Sequence, residues 1–155
     1  MDDLDATIKD MRTAIFELQA RDAKERHGLR GRVMEVLEQM TGPLQLSSSV
    51  QLDGRLDSAV PGDIGEDMLH ALREALSNAA RHGKATRVEV TVEAGSDLVL
   101  LVRDDGIGIK DASHRSGLAN LARRAEQYGG TLTVGPAEGG GTVLDWRVPL
   151  RPSTP

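Results

Sequence analysis

A single switch of period constrains this chain more than any other feature. From about Ile64 to Arg81, Ile64, Met68, Leu72, Ala75, Leu76 and Ala79 recur at helical spacing on one apolar face. Asp67, His70, Glu74, Asn78 and Arg81 follow the same spacing on a polar stripe, so they point one way. Pro61, Gly62 and Asp63 read as the start of that helix, with Asp63 as its N-cap. Past Gly83 the period drops to two. Val88, Val90 and Val92 alternate with polar residues, a turn follows at residues 94–97, and Leu98 to Val102 form a second strand.

The pattern then repeats in outline. Asp104 to Ile109 close the strand in a glycine loop, a helix runs from about Gly117 to Tyr128, and Gly129 and Gly130 end it. Thr131 to Val134 and Thr142 to Val148 pair as a last hairpin, closed by Pro149. Upstream, Leu29, Val33, Val36, Leu37 and Met40 stripe another helix, stopped by Gly42 and Pro43. Leu44, Leu46, Val50 and Leu52 alternate enough for an edge strand or a hairpin. Strands grouped between long helices predict an α+β fold, a two-layer α/β sandwich, rather than a doubly wound parallel sheet.

The 155 residues suit one core with an appendage. Residues 27–150 are expected to form it, with a disordered tail at 151–155. In residues 1–26, Leu4, Ile8, Met11, Ile15 and Leu18 keep a heptad seam for barely two heptads. That segment reads as a helix seeking a partner helix, or as one docked on its own core. Phe16, Tyr128 and Trp146 are the only aromatics, which argues against stacking of bases on aromatic platforms. A net charge of −5 argues against general nucleic-acid binding. With no cysteine there is no disulfide, thiolate metal site or thiol catalysis. No run approaches a membrane span, and a soluble, cytoplasmic domain is expected.

Three places could carry chemistry. Glu74 and Asn78 stand one turn apart on the polar stripe, where a carboxylate and an amide can hold a hydrated Mg²⁺ against phosphates. Arg81 and Lys84 lie beyond them, able to neutralise phosphate oxygens. Spacing alone favours the plainer reading, a solvated helix face. Asp104, followed by Gly106 and Gly108, offers a carboxylate beside bare backbone, fit to accept a hydrogen bond from an amine such as that of adenine. A tight turn explains the same residues. Ser116, Gly117 and Leu118 open a helix whose free N–H groups suit phosphate, with Lys110, His114 and Arg115 just before it. Thr142, after three glycines, could reach a ligand or cap a turn. The loop at 104–109 is neither an EF-hand nor a dinucleotide fingerprint, and the dispersed histidines make zinc improbable.

Taken in order, these segments resemble the ATP-binding catalytic domain of sensor histidine kinases, in the GHKL superfamily of gyrase, Hsp90, histidine kinases and MutL. The resemblance covers roughly residues 45–150. Glu74 to His82 resembles the N box, Asp104 to Gly108 the first glycine box, and Ser116 to Leu121 a shortened second one. Gly139 to Thr142 with Val148 to Leu150 resembles the closing hairpin. The resemblance implies ATP and Mg²⁺ as cofactors and a Bergerat-type fold. It implies that Asn78 holds Mg²⁺, Glu74 assists phosphoryl transfer, and Arg81, His82 or Lys84 face the phosphates. Asp104 would bind the adenine amine, Gly106 and Gly108 would shape its pocket, and Thr142 would support Asp104, through water. Gly117 and Leu118 would join the nucleotide site.

Seven residues, Ile109 to Arg115, separate the glycine boxes, so the lid is short. That is similar to the class of histidine kinases that partners NarL-type response regulators, and within it to the actinobacterial haem-based dormancy sensors of the DevS and DosT group. Residues 5–18 resemble the second helix of that class's dimerisation hairpin. None of His27, His70, His82 or His114 has the acceptor's acidic context, so the chain is expected not to phosphorylate itself. Expected partners are ATP, the acceptor-bearing dimerisation domain of a homodimeric kinase and a NarL-type regulator, without nucleic acid or membrane contact. Two other readings stay open: an anti-sigma-factor-type serine kinase of the same superfamily, and a non-catalytic interaction module with a decayed pocket.

Overall fold

The computed structural model describes residues 28–108 and 115–150. The heptad seam at Leu4 to Leu18, most of the short lid and the tail therefore lie outside the described residues. The first helix, α1, occupies residues 28–41 and buries Leu29, Val33, Val36 and Leu37, the predicted stripe. A turn, with Gln45 at φ +57°, leads into β1, Ser47–Gly54. Helix α2 spans Gly62–Arg81, followed by β2, Arg87–Ala94, and β3, Asp97–Asp104. Helix α3, Arg115–Gln127, then leads to β4, Thr131–Pro136, and β5, Thr142–Pro149.

The five strands form one sheet in the order β1-β2-β3-β5-β4. β2–β3 and β4–β5 are the two expected antiparallel hairpins. β1 is an edge strand, as one of the two sequence readings had it, but it is not in a hairpin. It pairs with β2 in parallel, Val50 beside Val90. The reason is the connection: a parallel partner needs a long crossover, and α2 supplies it. β5 lies antiparallel to β3, which leaves β4 at the far edge.

All three helices lie on one side of the sheet. Val88, Val90, Val92 and Ala94 of β2 and Leu98, Leu100 and Val102 of β3 point into the core. Leu144, Trp146 and Val148 of β5 join them, while Arg87, Glu89, Glu93 and Arg103 stay on the open face. α2 contributes Met68, Leu69, Leu72 and Leu76, all fully buried, each worth roughly 1.5–3 kcal/mol relative to exposure. The helix begins one residue before the expected cap. Pro61 occupies the cap position without a side-chain cap, and Asp63 sits in the first turn, its carboxylate accepting the Ile64 N–H at 3.0 Å. Proline at the helix start sacrifices no hydrogen bond, and the acidic side chain still faces the positive end of the helix dipole.

Candidate functional site

The polar stripe of α2 divides on folding. Asn78 is buried, Glu74 and His70 are half-buried, and Arg81 is exposed at the helix end. α2 ends because the Asn78 carbonyl takes both following amides, His82 N at 3.0 Å and Gly83 N at 2.9 Å. The chain then turns through Lys84 at φ +53° into β2.

At the end of β3, Asp104 is buried and lies opposite Thr142, the first residue of β5. The Gly106 N–H donates to Asp104 Oδ1 at 2.8 Å, and the Thr142 backbone N–H also donates to this carboxylate. Thr142 thus supports Asp104 directly, through its own backbone. Burial pushes the Asp104 carboxyl above its ordinary 3.8, the two backbone bonds pull the other way, and neighbouring Asp105 adds to the rise. Asp105 behaves oppositely. Its carboxylate accepts Thr86 N at 2.8 Å, Arg87 N at 3.0 Å and Thr86 Oγ1 at 2.9 Å, and these bonds lower it. One of two adjacent aspartates faces the pocket; the other staples the loop to β2.

The glycine loop fits between these parts because it lacks side chains. Ile107 N–H donates to the Gly83 carbonyl at 2.7 Å, and a Cβ on Gly106 would overlap that same carbonyl oxygen. In the sequence Gly83 marks only the change of period; its contact with the glycine loop depends on residues more than twenty positions away. Gly141, at φ +92°, likewise leaves no room for a Cβ against the Asp104 carbonyl.

Asn78, Asp104 and Thr142 line one narrow pocket with Ala75, Ala79, Gly83, Val102, Val134 and Leu144. Its volume is about 10 Å³, room for roughly one water. Within it, the Asn78 side-chain nitrogen is buried without a hydrogen-bond partner. Leaving such a group unmade is costly, so a water, an ion or a ligand is expected to pair with it. Amide nitrogen and oxygen exchange by a flip, so this edge can equally present an oxygen.

Beyond this pocket, Gly117 in the first turn of α3 rests on Glu74. A Cβ there would lie 2.5 Å from Glu74 Oε1. Leu118 packs half-buried against the core. Gly108, at φ +90°, leads the loop out past Thr142. The fold therefore gathers Asn78, Asp104, Gly106 and Thr142, and separately Glu74 with Gly117. It does not gather Arg81, His82 and Lys84, all exposed at the rim where α2 ends. Among the described residues, no three His, Asp or Glu side chains cluster as a metal cage. Asn78 alone suits a cation that keeps its waters and shares phosphate oxygens, the usual manner of Mg²⁺.

A family model described as histidine kinase-, DNA gyrase B-, and HSP90-like ATPase matches residues 64–152, which hold all these parts. The chain belongs to this ATPase family. Within it, the chain corresponds to the ATP-binding catalytic domain of sensor histidine kinases. It is 36% identical over 106 residues to the nitrate/nitrite sensor protein NarQ of Escherichia coli, covering 64% of this chain and 19% of NarQ. It is 31% identical over 134 residues to the sensor histidine kinase LiaS of Bacillus subtilis, covering 83% of this chain and 36% of LiaS. The chain thus spans well under half of either relative. The ATP binding domain of PrrB from Mycobacterium tuberculosis superposes with a TM-score of 0.55 at 22% identity, over 77% of this chain and 95% of that one. The catalytic domain of histidine kinase ThkA gives 0.62 at 17%, over 81% and 95%. These likenesses establish the fold of the ATPase domain: the mixed five-stranded sheet with its helices. Among the described residues, no helix is long and apolar enough to cross a membrane.

Proposed function

We propose that this chain is the catalytic module of a two-component sensor histidine kinase, binding Mg²⁺-ATP and transferring its γ-phosphoryl group to a histidine on a dimerisation domain. The observation that carries this is the buried, unpartnered amide of Asn78 in one pocket with Asp104 and Thr142. Asp104 accepts a hydrogen bond from the amino group of adenine, oriented by the backbone amides of Gly106 and Thr142. Asn78 presents its amide oxygen to Mg²⁺, which supplies charge neutralisation on the phosphates. The N–H groups at Gly117 and Leu118 face phosphate oxygens, and Arg81 and Lys84 add positive charge from the rim, where His82 also faces the phosphates. Glu74 orients the acceptor imidazole and takes its proton as the P–N bond forms and the bond to ADP breaks. Such transfer depends mainly on positioning and charge neutralisation.

Residues 27–150 are the nucleotide-binding unit and residues 1–26 the end of a dimerisation hairpin. The acceptor histidine comes from the rest of a cytoplasmic-facing homodimeric kinase, so this chain alone does not autophosphorylate. The short segment between the glycine boxes supports a NarL-type regulator as the downstream partner. The finer kinship with the haem-based dormancy sensors rests on the sequence resemblance alone.

Calorimetric titration with ATP and ADP, with and without Mg²⁺, tests the reading. Saturable binding is expected in the wild type, with Asn78→Ala removing its Mg²⁺ dependence, Asp104→Asn weakening it, and GTP competing poorly. Equal binding of GTP and ATP would discard the adenine role of Asp104, and no binding by a folded wild type would discard the nucleotide reading.

A further inference from the structure

The polar stripe of α2 begins with a group that nucleotide chemistry does not use. The Asp67 carboxylate accepts Arg124 Nη1 at 2.9 Å on one oxygen and Tyr128 OH at 2.8 Å on the other. Its side chain is 17% exposed against 41% for Arg124, so the anion is the more sheltered member of the ion pair. The hydrogen bond to Asp67, then burial, push the Tyr128 hydroxyl up to about 12, so it remains a donor across the physiological range.

This clamp holds the far end of the helix whose other end touches Glu74. α2 and α3 run antiparallel, and their two contacts keep step. Seven residues separate Asp67 from Glu74 on α2, and seven separate Gly117 from Arg124 on α3. Seven residues span about 10.5 Å on both helices, so fixing one contact fixes the other. Leu121, between the two contacts, and Ala125, just past the second, are buried by apolar packing, which is non-directional. A slip of one turn would displace Gly117 from Glu74 by about 5.4 Å. The doubly bonded carboxylate is directional. At the trailing end, Gly129 at φ +81° and Gly130 turn the chain into β4.

We propose that Asp67 is a positioning residue for the nucleotide site: by clamping Arg124 and Tyr128 it sets the register of α3 on α2, and so seats the first turn of α3 on Glu74. This deepens the function proposed above and rests on it for its effect on nucleotide.

The test uses the full chain, ¹⁵N-labelled, and follows both the Gly117 amide resonance and the affinity for Mg²⁺-ADP, at temperatures well below each variant's unfolding. Asp67→Ala should shift the Gly117 resonance without nucleotide and weaken Mg²⁺-ADP binding about tenfold, the size of one lost hydrogen bond to a charged group. Tyr128→Phe should move both readouts the same way by less. It deletes a single hydroxyl, and it decides the matter if Asp67→Ala does not fold. Arg32→Gln breaks the Arg32–Glu66 ion pair, which joins α1 to α2, and should move neither. Variants that lower thermal stability but leave Gly117 and affinity at wild-type values would overturn the proposal. If the wild type binds no Mg²⁺-ADP yet Asp67→Ala still shifts Gly117, the nucleotide reading falls and the register device stands.

Discussion

Asp104 and Asp105 are chemically identical neighbours that folding drives apart. Burial raises one, and three hydrogen bonds in an exposed loop lower the other. Only the buried one lines the pocket, so in the function proposed above its protonation should control ligand capture. The ionised carboxylate is the form that accepts an amine N–H, so if Asp104 takes the proposed adenine role, binding should expel a proton wherever it is partly protonated. Affinity for ADP should therefore fall as pH drops through the raised value, which lies above 3.8, and level off at higher pH. Titrations across that range in two buffers of different ionisation heat check both the slope and the proton release. For stability the two groups have opposite signs. The raised Asp104 favours the folded state below the unfolded value and loses that as pH rises, whereas Asp105 contributes above it and loses that in acid. None of this could be read from the sequence, where Asp104 and Asp105 are two letters in one loop.

Among the elements, α2 was the most legible because its period is self-contained. The apolar face predicted from spacing is the face that is buried. What spacing could not say was how its polar stripe would divide, since that depends on which sheet edge and loop lie against it. Likewise β1 reads as a strand from its alternation, but its parallel pairing comes from the crossover. Turns show the same distinction sharply in the β4–β5 connection. Gly139 and Gly141 have nearly the same φ, +85° and +92°. Open space surrounds a Cβ at 139, while one at 141 would overlap the Asp104 carbonyl. Gly139→Ala should cost about 1 kcal/mol, the left-handed penalty alone. Gly141→Ala should cost about 3 kcal/mol and disturb Asp104 as well. Urea unfolding gives both numbers, and equal losses would mean that φ rather than space controls this turn.

At the scale of the molecule, one core runs beneath the whole sheet, and Trp146, fully buried on β5, reports on it as the only tryptophan. Its fluorescence and the far-ultraviolet dichroism should lose native signal in one coincident transition. Mg²⁺-ADP should move that transition upward, since a ligand of the folded state alone stabilises by mass action. Separate transitions would show that α1 or the β4–β5 hairpin unfolds on its own.

Local physics, by itself, determined the helices, the strands and the glycine breaks, because side-chain period and turn chemistry depend on a few neighbouring residues. It also placed the residues of the candidate site in the order that carries the family resemblance. The tertiary structure alone decided that β5 inserts beside β3, that Asp104 consequently meets Thr142, and that Asn78 is left with an unpartnered buried amide. It alone set Asp67 and Glu74 against two points seven residues apart on α3. These are contacts between residues distant in the chain, and they exist only once the sheet order and helix packing that minimise exposed apolar surface have been chosen.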